Sequence, residues 1–234
     1  VYPPKYLEVP IYATKNILGR HFLDSDVFTF KIEVEGEEPS AYVLQNIDAD
    51  SSIEFLIEKL GFAKAEDIVV TISEVSGTIG GMTYDDTIYT VEISVTDDGE
   101  GNLSADVKYY VGNDRATEIE FTNKYKATTP AEITLFGHKT LVGKILEANM
   151  FEFILANNDG YSDKVTNAAP GPDGKGKFEF ATLTFDEVGT YYYTVTETEG
   201  NMPGVEYDGR EYTVIITVTD NFDGTLSATA SYAV

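Results

Sequence analysis

The chain predicts an all-β fold arranged as two tandem β-sandwich domains, and three observations carry that expectation. Runs rich in Val, Ile, Thr, Tyr and Phe alternate apolar and polar residues with a period of two, as in "IVVTISEV" (Ile68–Val75) and "EYTVIITVTD" (Glu211–Asp220). That is the pattern of a strand with one face buried. Clusters such as "DDGEGN", "NNDG" and "DNFDGT" separate the runs, and Asp, Asn and Gly are the residues that tight turns between strands require. The third observation is an internal repeat. "GMTYDDTIYTVEISVTDDGEGNLSADVKYY" (Gly81–Tyr110) aligns with "GVEYDGREYTVIITVTDNFDGTLSATASYA" (Gly204–Ala233), so that Tyr84 meets Tyr207, Thr96 meets Thr219 and Leu103 meets Leu226.

Each element of the first copy has its counterpart in the second. "ATKNILGR" (Ala13–Arg20) meets "GHKTLVGK" (Gly137–Lys144), and "DVFTFKIEV" (Asp26–Val34) meets "NMFEFILAN" (Asn149–Asn157). "VVTISE" (Val69–Glu74) meets "YYTVTE" (Tyr192–Glu197). "SSIEFLIEKL" (Ser51–Leu60), followed by Gly61, has helical spacing but equally suits a strand, because the second copy offers "KFEFATLTF" there. About seven strands per copy make an Ig-like two-sheet sandwich the natural architecture. The seam falls in "KYKATTPAEI", where Thr128, Thr129 and Pro130 form a short extended linker. The expected domains are 1–127, with 1–6 as a linker from a preceding region, and 128–234. The chain begins abruptly at Val1 and stops at Val234 within strand-like sequence. It reads as a segment of a longer protein whose second domain lacks its last strand.

Composition narrows the function. A net charge of −24 with only 16 Lys and Arg excludes the clustered cations that nucleic-acid binding needs. The acidity is interspersed, as on a well-solvated surface that resists aggregation. There is no Cys, hence no disulfide, thiolate nucleophile or Cys-bound metal. No run approaches the roughly 20 apolar residues of a membrane-spanning helix. His21 and His138 have no Cys or His at metal-ligand spacing, and no Gly-x-Ser-x-Gly or phosphate-binding loop occurs. No cofactor, metal or turnover chemistry is therefore expected. "TDDGEGN" and "TDNFDGT" carry carboxylates, but hairpin turns account for them better than Ca²⁺.

Three polar residues break the alternation. Ile11, Ala13, Lys15 and Ile17 share one face of a strand; so do Ile68, Val70, Ile72 and Glu74, and so do Ile119, Phe121, Asn123 and Tyr125. The second copy repeats two of the anomalies, placing Lys139 in line with Leu135 and Leu141, and Glu197 in line with Tyr193 and Val195. Single charged groups are rarely buried unless paired, so the set needs a joint explanation. One is a buried Lys–Glu ion pair with Asn hydrogen-bonded beside it. The other is a reaction: a neutral lysine amine attacks the asparagine carboxamide, ammonia leaves, and a side-chain amide remains. Burial favours the neutral amine, and a carboxylic acid with a raised pKa can shuttle the protons. Phe28, Phe30 and Phe121 would form the apolar cage.

At these residues the sequence resembles a known family. "ATKNILGR…FTF", "TISEVSG…TYDDTIYTVEISVTDDGEGNLSA" and "EFTNKY", with "HKTLVGK…MFEF", "GTYYYTVTETEG" and "YDGREYTVIITVTDNFDGTLSA" in the second copy, are similar to the pilin isopeptide-linkage domains of Gram-positive surface pili and adhesins. The resemblance spans nearly all of both domains. It implies collagen-adhesin B-type sandwiches with a self-generated Lys–Asn isopeptide bond: Lys15 the nucleophile, Asn123 the acceptor, Glu74 the catalytic acid. Lys139 and Glu197 match in the second domain, whose acceptor Asn is expected beyond Val234. "VYPPKY" resembles the Tyr-Pro-Lys pilin motif, making Lys5 a candidate sortase-linkage lysine; a proline-rich linker is the alternative. The function implied is a structural shaft or stalk segment of an extracellular, wall-attached pilus or adhesin, without membrane contact in this segment. Its partners would be neighbouring domains or pilin subunits, and a host receptor. The alternative is an adhesin module that binds a host glycan or matrix protein.

Overall fold

The computed structural model describes residues 6–233. Lys5 lies outside them. The contacts divide the chain between Lys126 and Ala127 into two units, and all the regular structure described is strand. The first unit holds β1 (Leu7–Leu18), β2 (Val27–Val34), β3 (Ser40–Gln45), β4 (Ser52–Phe62), β5 (Glu66–Val75), β6 (Met82–Thr83), β7 (Ile88–Asp97), β8 (Leu103–Val111), β9 (Asp114–Ala116) and β10 (Glu120–Tyr125).

Period-two burial organises these strands into two sheets. One runs β4-β1-β10-β6 and the other β3-β2-β5-β7-β8-β9. The sheets face each other through aromatic rings. Phe30 on β2 lies 5.3 Å from Phe55 on β4 and 5.1 Å from Phe121 on β10, and Tyr89 on β7 meets Phe121 edge-on at 5.3 Å, all between ring centroids. The stretch 51–60 is strand rather than helix. β4 pairs along β1 from Leu7↔Phe62 to Asn16↔Ser52, and buries Phe55 and Ile57 while leaving Leu56 exposed. Cross-strand pairing with the long first strand decides what local spacing leaves open.

β1 and β10 run parallel, with Lys15 opposite Phe121 and Ile17 opposite Asn123. Parallel neighbours require a long crossover, and here that crossover is nearly the whole unit. The chain turns away from β1 at Gly19, whose φ of +97° favours glycine.

The second unit comprises β11 (Ala131–Ile133), β12 (Phe136–Lys139), β13 (Glu152–Ala156), β14 (Ser162–Thr166), β15 (Gly176–Glu179), β16 (Leu183–Phe185), β17 (Gly189–Glu197), β18 (Glu211–Asp220) and β19 (Leu226–Ala233). A five-stranded sheet, β14-β13-β17-β18-β19, corresponds to the larger sheet of the first unit. The counterparts of β1 and β4 are each broken in two, giving the pairs β11-β16 and β12-β15. Among the described residues no strand pairs with the other edge of β12, where β10 lies in the first unit.

A Cβ at Gly19 would sit 2.1 Å from the main-chain oxygen of Tyr125. Gly19→Ala is therefore expected to destabilise the first unit by about 1–3 kcal/mol, measured by urea denaturation. An unchanged midpoint would show that the end of β1 is free to move.

Candidate cross-link site

β1, β5 and β10 each turn one polar side chain into the apolar space between the sheets. Lys15 and Asn123 are wholly buried, and the Glu74 side chain has no exposure. The Glu74 carboxyl joins the other two. Lys15 Nζ donates to its Oε2 at 3.1 Å and Asn123 Nδ2 donates to its Oε1 at 2.9 Å. Lys15 Nζ also lies 3.4 Å from the Phe121 main-chain oxygen and 5.0 Å from the centre of the Phe28 ring. Phe28, Phe30 and Phe121 are buried around the group.

Desolvation dominates the electrostatics. Burial pulls the Lys15 amine below the ordinary lysine value, against the opposing attraction of Glu74. Burial likewise pushes the Glu74 carboxyl above the ordinary carboxylate range, against the pull of Lys15 and the hydrogen bond from Asn123. Both shifts favour a neutral amine beside a neutral acid over an ion pair. The two groups titrate as one coupled system.

The structure adds a residue that alternation does not point to. Asp85, in the turn between β6 and β7, donates its main-chain N–H to Asn123 Oδ1 at 2.8 Å. Its carboxylate accepts the N–H of Thr87 at 2.9 Å and of Thr122 at 2.6 Å. Burial pushes its pKa up, but these hydrogen bonds outweigh burial and hold it below the ordinary carboxylate value. The only sequence trace is the recurrence of Asp in "TYDD" and "EYDG", at Asp85 and Asp208. A second buried pair, Arg20 bidentate to Asp26 at 2.7 Å for both bonds, ties the chain after β1 to the start of β2. It too escapes the alternation test, because both residues lie outside the strands.

The second unit assembles part of the same set. Lys139 Nζ donates to Glu197 Oε2 at 2.6 Å and sits 4.2 Å from the centre of the Phe151 ring. Glu197 Oε1 accepts the main-chain N–H of Asp208 at 3.4 Å. The Asp208 carboxylate is held by Arg210 and Tyr212, and the Arg210 guanidinium draws its pKa far below the usual range. A cavity of about 380 Å³, lined by Leu135, Lys139, Phe153, Glu197, Asp208 and Tyr232 among others, opens beside the unpaired edge of β12.

The other candidates are turns. Asp98 accepts from the main chain of Glu100 and Asn102 within its hairpin, and Asp223 accepts from Thr225. Among the described residues no group of three His, Cys, Asp or Glu side chains is placed to hold a metal ion. His138 packs edge-on against Phe136.

A family model, FctA, described as the Spy0128-like isopeptide containing domain, matches residues 11–126 and again 135–234. The chain belongs to this family. Among curated proteins, a pilin of Streptococcus pyogenes serotype M1 is 35% identical over 78 residues, covering 32% of this chain and 23% of that protein. The chain thus matches about a quarter of that relative's length. Among solved structures, the major pilin T-13 of Streptococcus pyogenes aligns over 98% of both chains at 15% identity with a TM-score of 0.41. The major pilin from Streptococcus pyogenes aligns over 96% of this chain and 97% of that one, at 16% identity and a TM-score of 0.40.

In an Asn123→Ala background of this Spy0128-like chain, Lys15→Met leaves the Glu74 carboxyl buried without its amine. A carboxyl whose folded pKa is raised contributes stability at low pH and loses it as pH rises through the folded value. The double variant is therefore expected to lose stability with rising pH relative to Asn123→Ala alone. The slope approaches about 1.4 kcal/mol per pH unit between the unfolded and folded pKa values. Adding Glu74→Leu should abolish the difference, and denaturation curves across pH test both.

Proposed function

We propose that this chain is a structural shaft segment of a Gram-positive surface pilus, and that its first unit closes a Lys15–Asn123 isopeptide bond on itself. The observation that carries this reading is the single Glu74 carboxyl, shared between amine and amide inside a cage closed to solvent. The neutral Lys15 amine attacks Asn123 Cγ and forms the new C–N bond. Glu74 protonates Nδ2, the C–Nδ2 bond breaks, and ammonia leaves. The proton lost by the attacking nitrogen returns to Glu74, so the acid is regenerated. Exclusion of water keeps the amine unprotonated and prevents hydrolysis from competing. Loss of ammonia distinguishes this reaction from an unreactive buried cluster.

The consequence is mechanical and thermodynamic. Closing a loop of about 100 residues is worth about 4.7 kcal/mol in the chain-entropy picture. More usefully, tension along the chain would cross the amide instead of the hydrogen bonds between β1 and β10. Such a link needs no cysteine and no oxidant, and resists reduction. Partners on this reading are the neighbouring domains and pilin subunits of one extracellular polymer. In the second unit Lys139 and Glu197 take the roles of Lys15 and Glu74. Their acceptor would be an asparagine on a strand added parallel to the open edge of β12.

Intact-mass spectrometry of the native protein is expected to find it lighter than its calculated mass by one ammonia per closed bond, and Glu74→Ala lighter by one fewer. Full calculated mass in the native chain would remove the proposal for the first unit. For the second unit, a peptide of residues Glu118–Lys126, which contains β10, is expected to form a covalent adduct that survives boiling in detergent and disappears in Lys139→Ala. An adduct in both proteins, or in neither, would reject the assignment.

A further inference from the structure

We propose that the main-chain N–H of Asp85 is the group that activates and orients the Asn123 carboxamide, with the Asp85 carboxylate positioning that N–H. This rests on the cross-linking reaction proposed above and assigns what that reaction lacks, a stabiliser for the charge that develops on Oδ1.

The first argument is orientation. The two ends of a carboxamide differ in chemistry but hardly in shape, so a buried amide is fixed by its partners. A main-chain N–H can only donate, so the atom facing Asp85 at 2.8 Å must be Oδ1. Nδ2 is then directed at Glu74 Oε1, 2.9 Å away. Reversing the amide would set its NH₂ against the Asp85 N–H, donor against donor, in a buried space. Asp85 thus selects the arrangement in which the leaving nitrogen faces the proton donor.

The second argument is charge. When Lys15 Nζ adds to Cγ, the C=O π pair moves onto Oδ1. A donor already in place there stabilises the tetrahedral species without having to reorganise. The bond being formed is Nζ–Cγ, the bond broken is Cγ–Nδ2, and the pair on Oδ1 returns to carbon as ammonia departs. No proton is transferred to Asp85 at any point.

The third argument is rigidity. The N–H is aimed by two anchors on the carboxylate of its own residue. Thr87 N–H closes the local turn on one oxygen, and Thr122 N–H, one residue before the acceptor, holds the other. The turn is therefore tied to β10 itself, so the donor and the carboxamide move together. The second unit builds the same turn, with Arg210 N–H donating to Asp208 Oδ1 at 3.1 Å. There the Asp208 N–H falls to the carboxylate oxygen that the amide occupies in the first unit, Glu197 Oε1. The same turn thus aims the equivalent N–H at the Lys139–Glu197 pair.

The test is the rate at which newly made chains lose ammonia, followed by acid-quenched intact-mass spectrometry after cell-free synthesis of the full chain. Replacing Asp85 by its α-hydroxy acid analogue changes the N–H to an ester oxygen and leaves the carboxylate turn in place. The rate is expected to fall by about 100-fold, as for loss of one preorganised donor. Asp85→Ala keeps the N–H but frees the turn, and should slow the reaction by about 10- to 100-fold. Asp85→Asn keeps an Oδ1 that accepts from Thr87 but sets its NH₂ against the Thr122 N–H, so it should recover only part of the rate lost in Asp85→Ala. Glu74→Ala provides the folded, unlinked reference for circular dichroism. If Asp85→Ala does not match that reference, the ester substitution alone decides. An ester-substituted chain that links at the native rate overturns the assignment. A native chain that never loses ammonia overturns the cross-link instead, whatever the variants do.

Discussion

One carboxyl group, shared between an amine and an amide in a space closed to solvent, is the constraint to which the rest of the first unit answers. Glu74 comes from β5 in one sheet, whereas Lys15 and Asn123 come from β1 and β10 in the other. The trio therefore exists only when the two sheets have closed on each other. Isolating any of the three would leave a polar group stranded in an apolar core, at a cost of several kcal/mol for an ion. Together they satisfy one another, and the phenylalanines around them strengthen every interaction by lowering the local dielectric.

The two units show the same parts at different degrees of closure. In the first, the parallel strand β10 covers the lysine and supplies the amide. In the second, the corresponding lysine–glutamate pair lines an open cavity, with side-chain exposures of 11% and 5% against 0% for both in the first.

Much of this was legible in the sequence because a strand writes its burial every second residue. Lys15, Glu74 and Asn123 stood out as polar residues in apolar registers, and the repeat located Lys139 and Glu197 by position. What escaped was what alternation cannot encode. Asp85 meets Asn123 through its main-chain N–H from a turn, a contact that no pattern of side chains along a strand records. Arg20 and Asp26 meet across a connection. β6 and β9, two and three residues long, are too short to show any period. The break of the β1 counterpart into β11 and β12 is a matter of pairing over distance, and the helical spacing at 51–60 was settled by β1, a partner more than thirty residues away at every pair.

The parallel pairing of β1 with β10 has a consequence for how the molecule comes into being. β1 is the first strand of its unit to be synthesised and β10 the last, so their meeting must await every residue between them. Under the proposed linkage, escape of ammonia then serves as an irreversible receipt for completed folding. A chain arrested partway keeps an unlinked lysine and can be told apart from a finished one by mass alone. A chain that has once reached the native state keeps that memory through any later unfolding.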